Sequence, residues 1–161
     1  MATPTSLPAT FVAGNVLTAA QMNDLRGAFR ILQVVRATDT TNRSTTSSSF
    51  VDASISVTIT PTAATSDIIV IWTLQVGYPS GSDTGLQITD SSNVALSGAE
   101  NFQHTNPGGF GYGNHVLVGY ASPATTSATT YKGRFRTPTG SFSIYNSTLT
   151  TGQLIAMEVS A

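Results

Sequence analysis

Between residues 50 and 60 the chain reads "FVDASISVTIT". Val51, Ala53, Ile55, Val57 and Ile59 fall on one side, and Asp52, Ser54, Ser56, Thr58 and Thr60 on the other. Apolar and polar residues alternating with a period of two predict an antiparallel strand with one face in a core and one in water. Pro61 ends it, and "TPTAATSD" turns the chain into "IIVIWTLQV" (68–76). That nearly continuous apolar run predicts a central strand covered on both faces. "ILQVVRAT" (31–38) predicts the first strand, and "TDTTNRSTTSSS" after it a polar loop.

Further strands are predicted at "GLQITD" (85–90), "VALSGAENFQ" (94–103), "HVLVGYAS" (115–122), "TTYKGRFRT" (129–137), "SFSIYNST" (141–148) and "QLIAMEVSA" (153–161), separated by Gly, Pro, Asn and Asp clusters. In the last of them Leu154, Ala156 and Glu158 alternate with Ile155, Met157 and Val159, and both sets are largely apolar. Such a strand is either central in its sheet or covered by a neighbouring subunit. Short strands with turns between them, and no helical period after residue 33, predict an all-β, antiparallel β-sandwich of jelly-roll type.

The first 33 residues break this pattern. Residues 1–10 carry two prolines and no periodicity, and read as an extended arm. Then Thr18 and Gln21 have the spacing of a capping box, with Leu17 and Met22 placed as a hydrophobic staple. Asp24 near the start and Arg26 and Arg30 near the end suit the helix dipole. Met22, Leu25, Phe29 and Leu32 recur at intervals of three, four and three, a narrow apolar stripe. A helix this short, weakened by Gly27, is marginal alone and needs a partner surface. The chain thus divides into an arm with an attachment helix (1–33) and a β-sandwich (34–161).

Charged residues make up 9% of the 161, against roughly a quarter in ordinary soluble domains. Thr alone outnumbers them. The exposed faces are therefore expected to be Ser/Thr carpets, a surface suited to closely packed copies. A net charge of −1 without a basic run argues against nucleic acid. With no cysteine, disulfides and thiol chemistry are excluded. "MATPTSLPAT" has neither the basic flank nor the apolar run of a secretion signal, and the longest apolar run is far short of a membrane span. Cytoplasmic synthesis and no membrane insertion are the expectation.

Candidate chemistry is thin. His104 and His115 flank "HTNPGGFGYGNH" at a spacing that matches no metal-ligand pattern, and a triad drawn from the abundant serines with Asp83 or Asp90 has no specificity. Asp90 and Glu100 are carboxylates that nothing in the sequence brings together, and Glu158 is expected to make a hydrogen-bonded or subunit contact. No enzyme activity, cofactor or metal is predicted. As a surface the stretch is richer: His104, Asn106, Phe110, Tyr112, Asn114 and His115 form a glycine-rich loop with aromatic faces and amides suited to sugars. The alternative is that Phe110 and Tyr112 pack beneath the loop. "YKGRFR" puts Lys132, Arg134 and Arg136 on one strand face and Tyr131 and Phe135 on the other.

"FVAGNVLTAAQMNDLR" (11–26) resembles the N-terminal segment of tailed-bacteriophage virion proteins of minor-tail and tail-fibre type, in which an aromatic–x–Ala-Gly, a Leu-Thr-Ala and a Met/Leu-Asn precede a β-rich body. Residues 31–72 are similar to fibre modules in their order of strand, hydroxyl loop, Phe-Val-Asp, Ile-Thr-Pro and apolar strand; 126–137 and "LIAMEVSA" are similar to the same modules' last strands. The resemblance implies a virion component, a homotrimer joined to other tail or capsid proteins, with the helix positions Leu17, Met22, Leu25, Phe29 and Leu32 as the trimerisation and attachment device. The first functional reading is a tail-fibre or tail-tip protein whose sandwich contacts a host cell-surface glycan. A capsid head decoration protein is the alternative, and a stand-alone lectin or small hydrolase a third reading.

Overall fold

The structure, a computed structural model, describes residues 16, 31–78, 83–105 and 111–160. The predicted helix, with Leu17, Met22, Leu25 and Phe29, lies outside them. Leu32, the last position of its stripe, is the second residue of a strand.

Among the described residues the strands are β1 (Ile31–Asp39), β2 (Arg43–Thr45), β3 (Val51–Ile59), β4 (Asp67–Tyr78), β5 (Asp83–Asp90), β6 (Phe102–Thr105), β7 (Gly111–Ala121), β8 (Thr129–Arg136), β9 (Phe142–Ile144) and β10 (Gly152–Val159). All pairings are antiparallel. β7 runs along one edge of β4, and the opposite edge is shared by β10 (Asp67 to Thr73) and β9 (Val76 and Gly77), with β2 beyond β9. Setting the short β2 and β9 aside, the larger sheet is β1-β10-β4-β7 and the smaller β3-β8-β5-β6. That is the strand order of a jelly roll, two Greek keys folded into a sandwich.

The core follows from the alternation. Val70, Trp72, Leu74, Leu154 and Ala156 of the larger sheet meet Ala53, Ile55, Val57, Leu86, Ile88 and Phe135 of the smaller one, all buried. At its centre the Trp72 ring lies on Gly133, where an added Cβ would come within 2.7 Å of the indole. Glycine is the residue that lets a tryptophan occupy the gap between sheets.

Both ends of the sandwich are tied by carboxylates. Glu158, 0% exposed, accepts from Gln33 Nε2 (2.6 Å) and from the backbone N–H and hydroxyl of Thr62 (2.7 Å each), fixing the turn after Pro61. Burial pushes its carboxyl up, but hydrogen bonds from Gln33, Ser66 and Thr62 outweigh this and lower its pKa to about 2. At the other end Asp39 pairs with Arg43 and accepts from Asn146 Nδ2 at 2.9 Å. There too burial raises the carboxyl and the bonds from Arg43, Asn146 and Thr41 bring it below its ordinary value.

Several expectations are corrected. The polar stretch 38–49 contains β2, which pairs with β9 through Ser44 and Ser143. Residues 94–103 are not one strand. Asp90 Oδ1 accepts from the N–H groups of Ser92 and Val94, turning the chain back so that Ala95 bridges to Thr89, and only Phe102 onward is β6. The predicted loop 104–115 is mostly strand: His104 ends up in β6, and Tyr112, Asn114 and His115 in β7. Finally, β4 is central but fully buried on one face alone, with Ile69 and Ile71 half-exposed on the other.

Candidate functional site: the outer face of the larger sheet

β3 obeys the alternation expected of a half-buried strand, and the larger sheet does not. Its outward residues align in rows across the strands. The first row is Val34, Met157, Ile69 and Tyr120; the second Arg36, Ile155, Ile71 and Val118; the third Thr38, Gln153, Thr73 and Val116. Beyond them lie Gln75 beside Asn114, then Gly77 beside Tyr112. Val34, Val116 and Val118 are 57%, 59% and 51% exposed, and Arg36 is the one charged side chain in these rows. Polarity therefore grades along the face: Asp67 bonded to Ser122 at the Ile31 margin, then aliphatic rows, then a polar and aromatic far end.

At the far end Tyr112 (63% exposed) meets Tyr145 edge to face, with centroids 5.0 Å apart. The contact is diagonal across β4: Tyr112 stands opposite Gly77, and Tyr145 follows β9 to a position beside Gln75. Gln75 Nε2 donates to Asn114 Oδ1 at 3.3 Å, and the Tyr145 N–H donates to the Gln75 carbonyl at 2.8 Å. An open groove of about 350 Å³ adjoins them, lined by Thr73, Gln75, Asn114, His115, Val116 and the turn Leu149 to Thr151. Amides, hydroxyls and a paired aromatic edge make a surface suited to polyhydroxyl ligands and to other proteins.

The structure puts Tyr112 and Asn114 of the predicted site on this outer face; His115, next on β7 and opposite the buried Leu74, alternates to the other face, and His104 is on the other sheet, paired with Thr84. Asn106 and Phe110 lie outside the described residues. Tyr112 is not tucked beneath a loop. Tyr145 was missed, because its pairing depends on β9 meeting β4. The aliphatic rows had a partial signal in the two-sided apolar character of β4 and β10.

The remaining chemistry is absorbed locally. Asp90 caps its turn and Glu100 is exposed. Lys132 Nζ donates to Asn93 Oδ1 (2.8 Å) and Arg134 to the Phe50 carbonyl (2.5 Å), while Arg136 lies 5.0 Å over the Phe50 ring. Among the described residues no group of three or more acidic or histidine side chains could hold a metal, and no helix is long and apolar enough to cross a membrane.

No protein-family model matches the chain, and no curated protein matches it. Among solved structures it is similar to a chain of the infectious bursal disease virus Gx strain, at 15% identity and a TM-score of 0.47 over 98% of this chain and 37% of that one. A chain from T=1 particles derived from infectious bursal virus is similar at 18% identity and a TM-score of 0.41, over 80% of this chain and 36% of that one. The chain thus spans little more than a third of the length of these structures.

Proposed function

We propose that this chain is a non-catalytic structural component of a bacteriophage virion: a tail-fibre or tail-tip protein, displayed as a homotrimer, whose Tyr112 end meets a host surface glycan. One observation carries the reading. Among the described residues most charged side chains are engaged in caps, turns and carbonyl contacts within the chain, which leaves mainly hydroxyls and amides for its surroundings. A jelly roll with so little free charge suits dense packing among other protein subunits. The resemblance of residues 11–26 and of the strand order to fibre modules supplies the tail.

A head decoration role is the second reading, favoured by the jelly-roll strand order, which recurs in capsid domains. Gold-labelled antibody against the chain, viewed on intact particles, separates them. Label at the tail supports the fibre or tip, and label over the whole head assigns decoration. Particles free of label remove the virion reading altogether.

A further inference from the structure

The aliphatic part of the exposed face is confined to one end of the larger sheet. Val34, Met157, Ile69 and Tyr120 form its first row, Ile155, Ile71 and Val118 its second, and nothing among the described residues covers them. Its position is informative. β1 is the edge strand of this sheet, and Ile31, itself 56% exposed, begins β1 opposite Val159, at the corner of that first row. Residues 17–30 reach the fold at this corner.

We propose that residues 17–30 of the same chain lie across these two rows, with Met22, Leu25 and Phe29 against Ile69, Ile71, Val118 and Met157. The dimensions agree. Four strands spaced about 4.8 Å apart make a strip roughly 19 Å wide with its side chains, and two rows about 7 Å apart make it roughly 14 Å deep. Fourteen residues in helical form are about 21 Å long and about 10 Å across, a rod matched to that strip. The sequence supplies the matching stripe and the need for a surface.

A second copy is the poorer occupant. Two such strips face to face would bury about 500 Å², half of the roughly 1,000 Å² that a specific interface needs. Chemistry on the occupant side is also simple. The charges at its margins already have partners: the Arg36 guanidinium lies 3.4 Å from Gln153 Oε1, and Asp67 accepts from Ser122 Oγ at 2.6 Å and is bonded to the Tyr120 hydroxyl, so an apolar stripe need bury no unpaired charge. The inference does not depend on the virion reading; it concerns the isolated chain.

The sequence has no cysteine, so an introduced pair reports without background. The test is Leu25→Cys with Val118→Cys in the full chain, oxidised and run on a non-reducing gel. A link within one chain, seen as a faster-migrating monomer that reverts on reduction, is the expected result. A link between chains would put a second copy's segment on the strip and overturn the proposal, as would no link.

Should the pair impair folding, hydrogen exchange on the unmodified chain decides. Amides of residues 22–30 are expected to exchange at least about tenfold slower than an unstructured chain. Val118→Asp should remove that protection and leave β3 protected. Free exchange of 22–30 in the unmodified chain, or protection that survives Val118→Asp, overturns the assignment. Neither result bears on where antibody binds the particle, so the two tests fail separately.

Discussion

The two outer faces of this sandwich are built from strands of similar length and opposite habit. On the smaller sheet Asp52, Ser56 and Thr58 stand beside Arg134, Lys132 and Thr130, and Thr58 and Thr130 share a hydroxyl bond of 2.8 Å. On the larger sheet the equivalent positions are Val34, Met157, Ile69, Ile71 and Val118. An antiparallel sheet that faces water keeps a polar side, as β3 does, so the larger sheet is built for a cover. The contrast distinguishes a face finished by the fold itself from one that awaits something else.

The most damaging break in that comparison lies between the faces, where both sheets depend on one ring. Trp72→Ala should cost about 3–5 kcal/mol and abolish cooperative unfolding at ordinary temperature, measured by urea titration. A loss below about 1 kcal/mol would mean that the sheets do not share a core.

Glu158→Gln is expected to cost roughly 1–3 kcal/mol, because an amide cannot accept from both Gln33 and Thr62 as the carboxylate does. The pH dependence has a definite sign. Glu158 moves from its ordinary value of 4.5 to about 2 on folding, so its contribution is complete above 4.5 and is lost as pH falls towards 2. Unfolding followed between pH 6 and pH 2 should show this acid loss in the parent chain and a smaller one in the variant. Equal slopes would remove the buried carboxylate from the account.

Tyr112→Ala removes half of an exposed aromatic pair, worth about 0.5–1.5 kcal/mol of stability, and is expected to reduce adsorption of particles to the host. Unchanged adsorption would leave Tyr112 a packing residue alone. Thr58→Ala, on the finished face, should fall within about 0.5 kcal/mol of the parent. A larger effect there would mean that the smaller sheet also has a partner.

The sequence made some of this legible and not the rest, for physical reasons. β3 was readable because its two faces have different chemistries: of the predicted set Ala53, Ile55, Val57 and Ile59 are buried, and Val51 is partly buried against the same core. The two apolar faces of the last strand left open a central place or a neighbouring subunit's cover, and β10 lies between β1 and β4. What failed depends on contacts distant in the chain. Glycine-rich "GYGNH" looked like loop, yet Gly111 and Gly113 pair with Tyr78 and Val76, and the neighbouring strand holds them extended. Arg43 to Thr45 forms a strand only because Phe142 to Ile144 lies beside it. β4 looked covered on both sides because side-chain chemistry records that a cover is required and not which molecule provides it. The candidate site followed the same division: Tyr112 and Asn114 were visible, while Tyr145, more than thirty positions away, was not.

The alignment of β4 has a mechanical consequence. Tyr112 and Ile31 lie at opposite ends of the larger sheet, and β4 joins β7 through an unbroken register from Ile68↔Ala121 to Tyr78↔Gly111. A pull between a tether at Ile31 and a grip at Tyr112 would run lengthwise along the strands. It would strain the hydrogen bonds of each ladder together, in shear, instead of peeling them one after another. Such a sheet resists tugging along its long axis far better than across it.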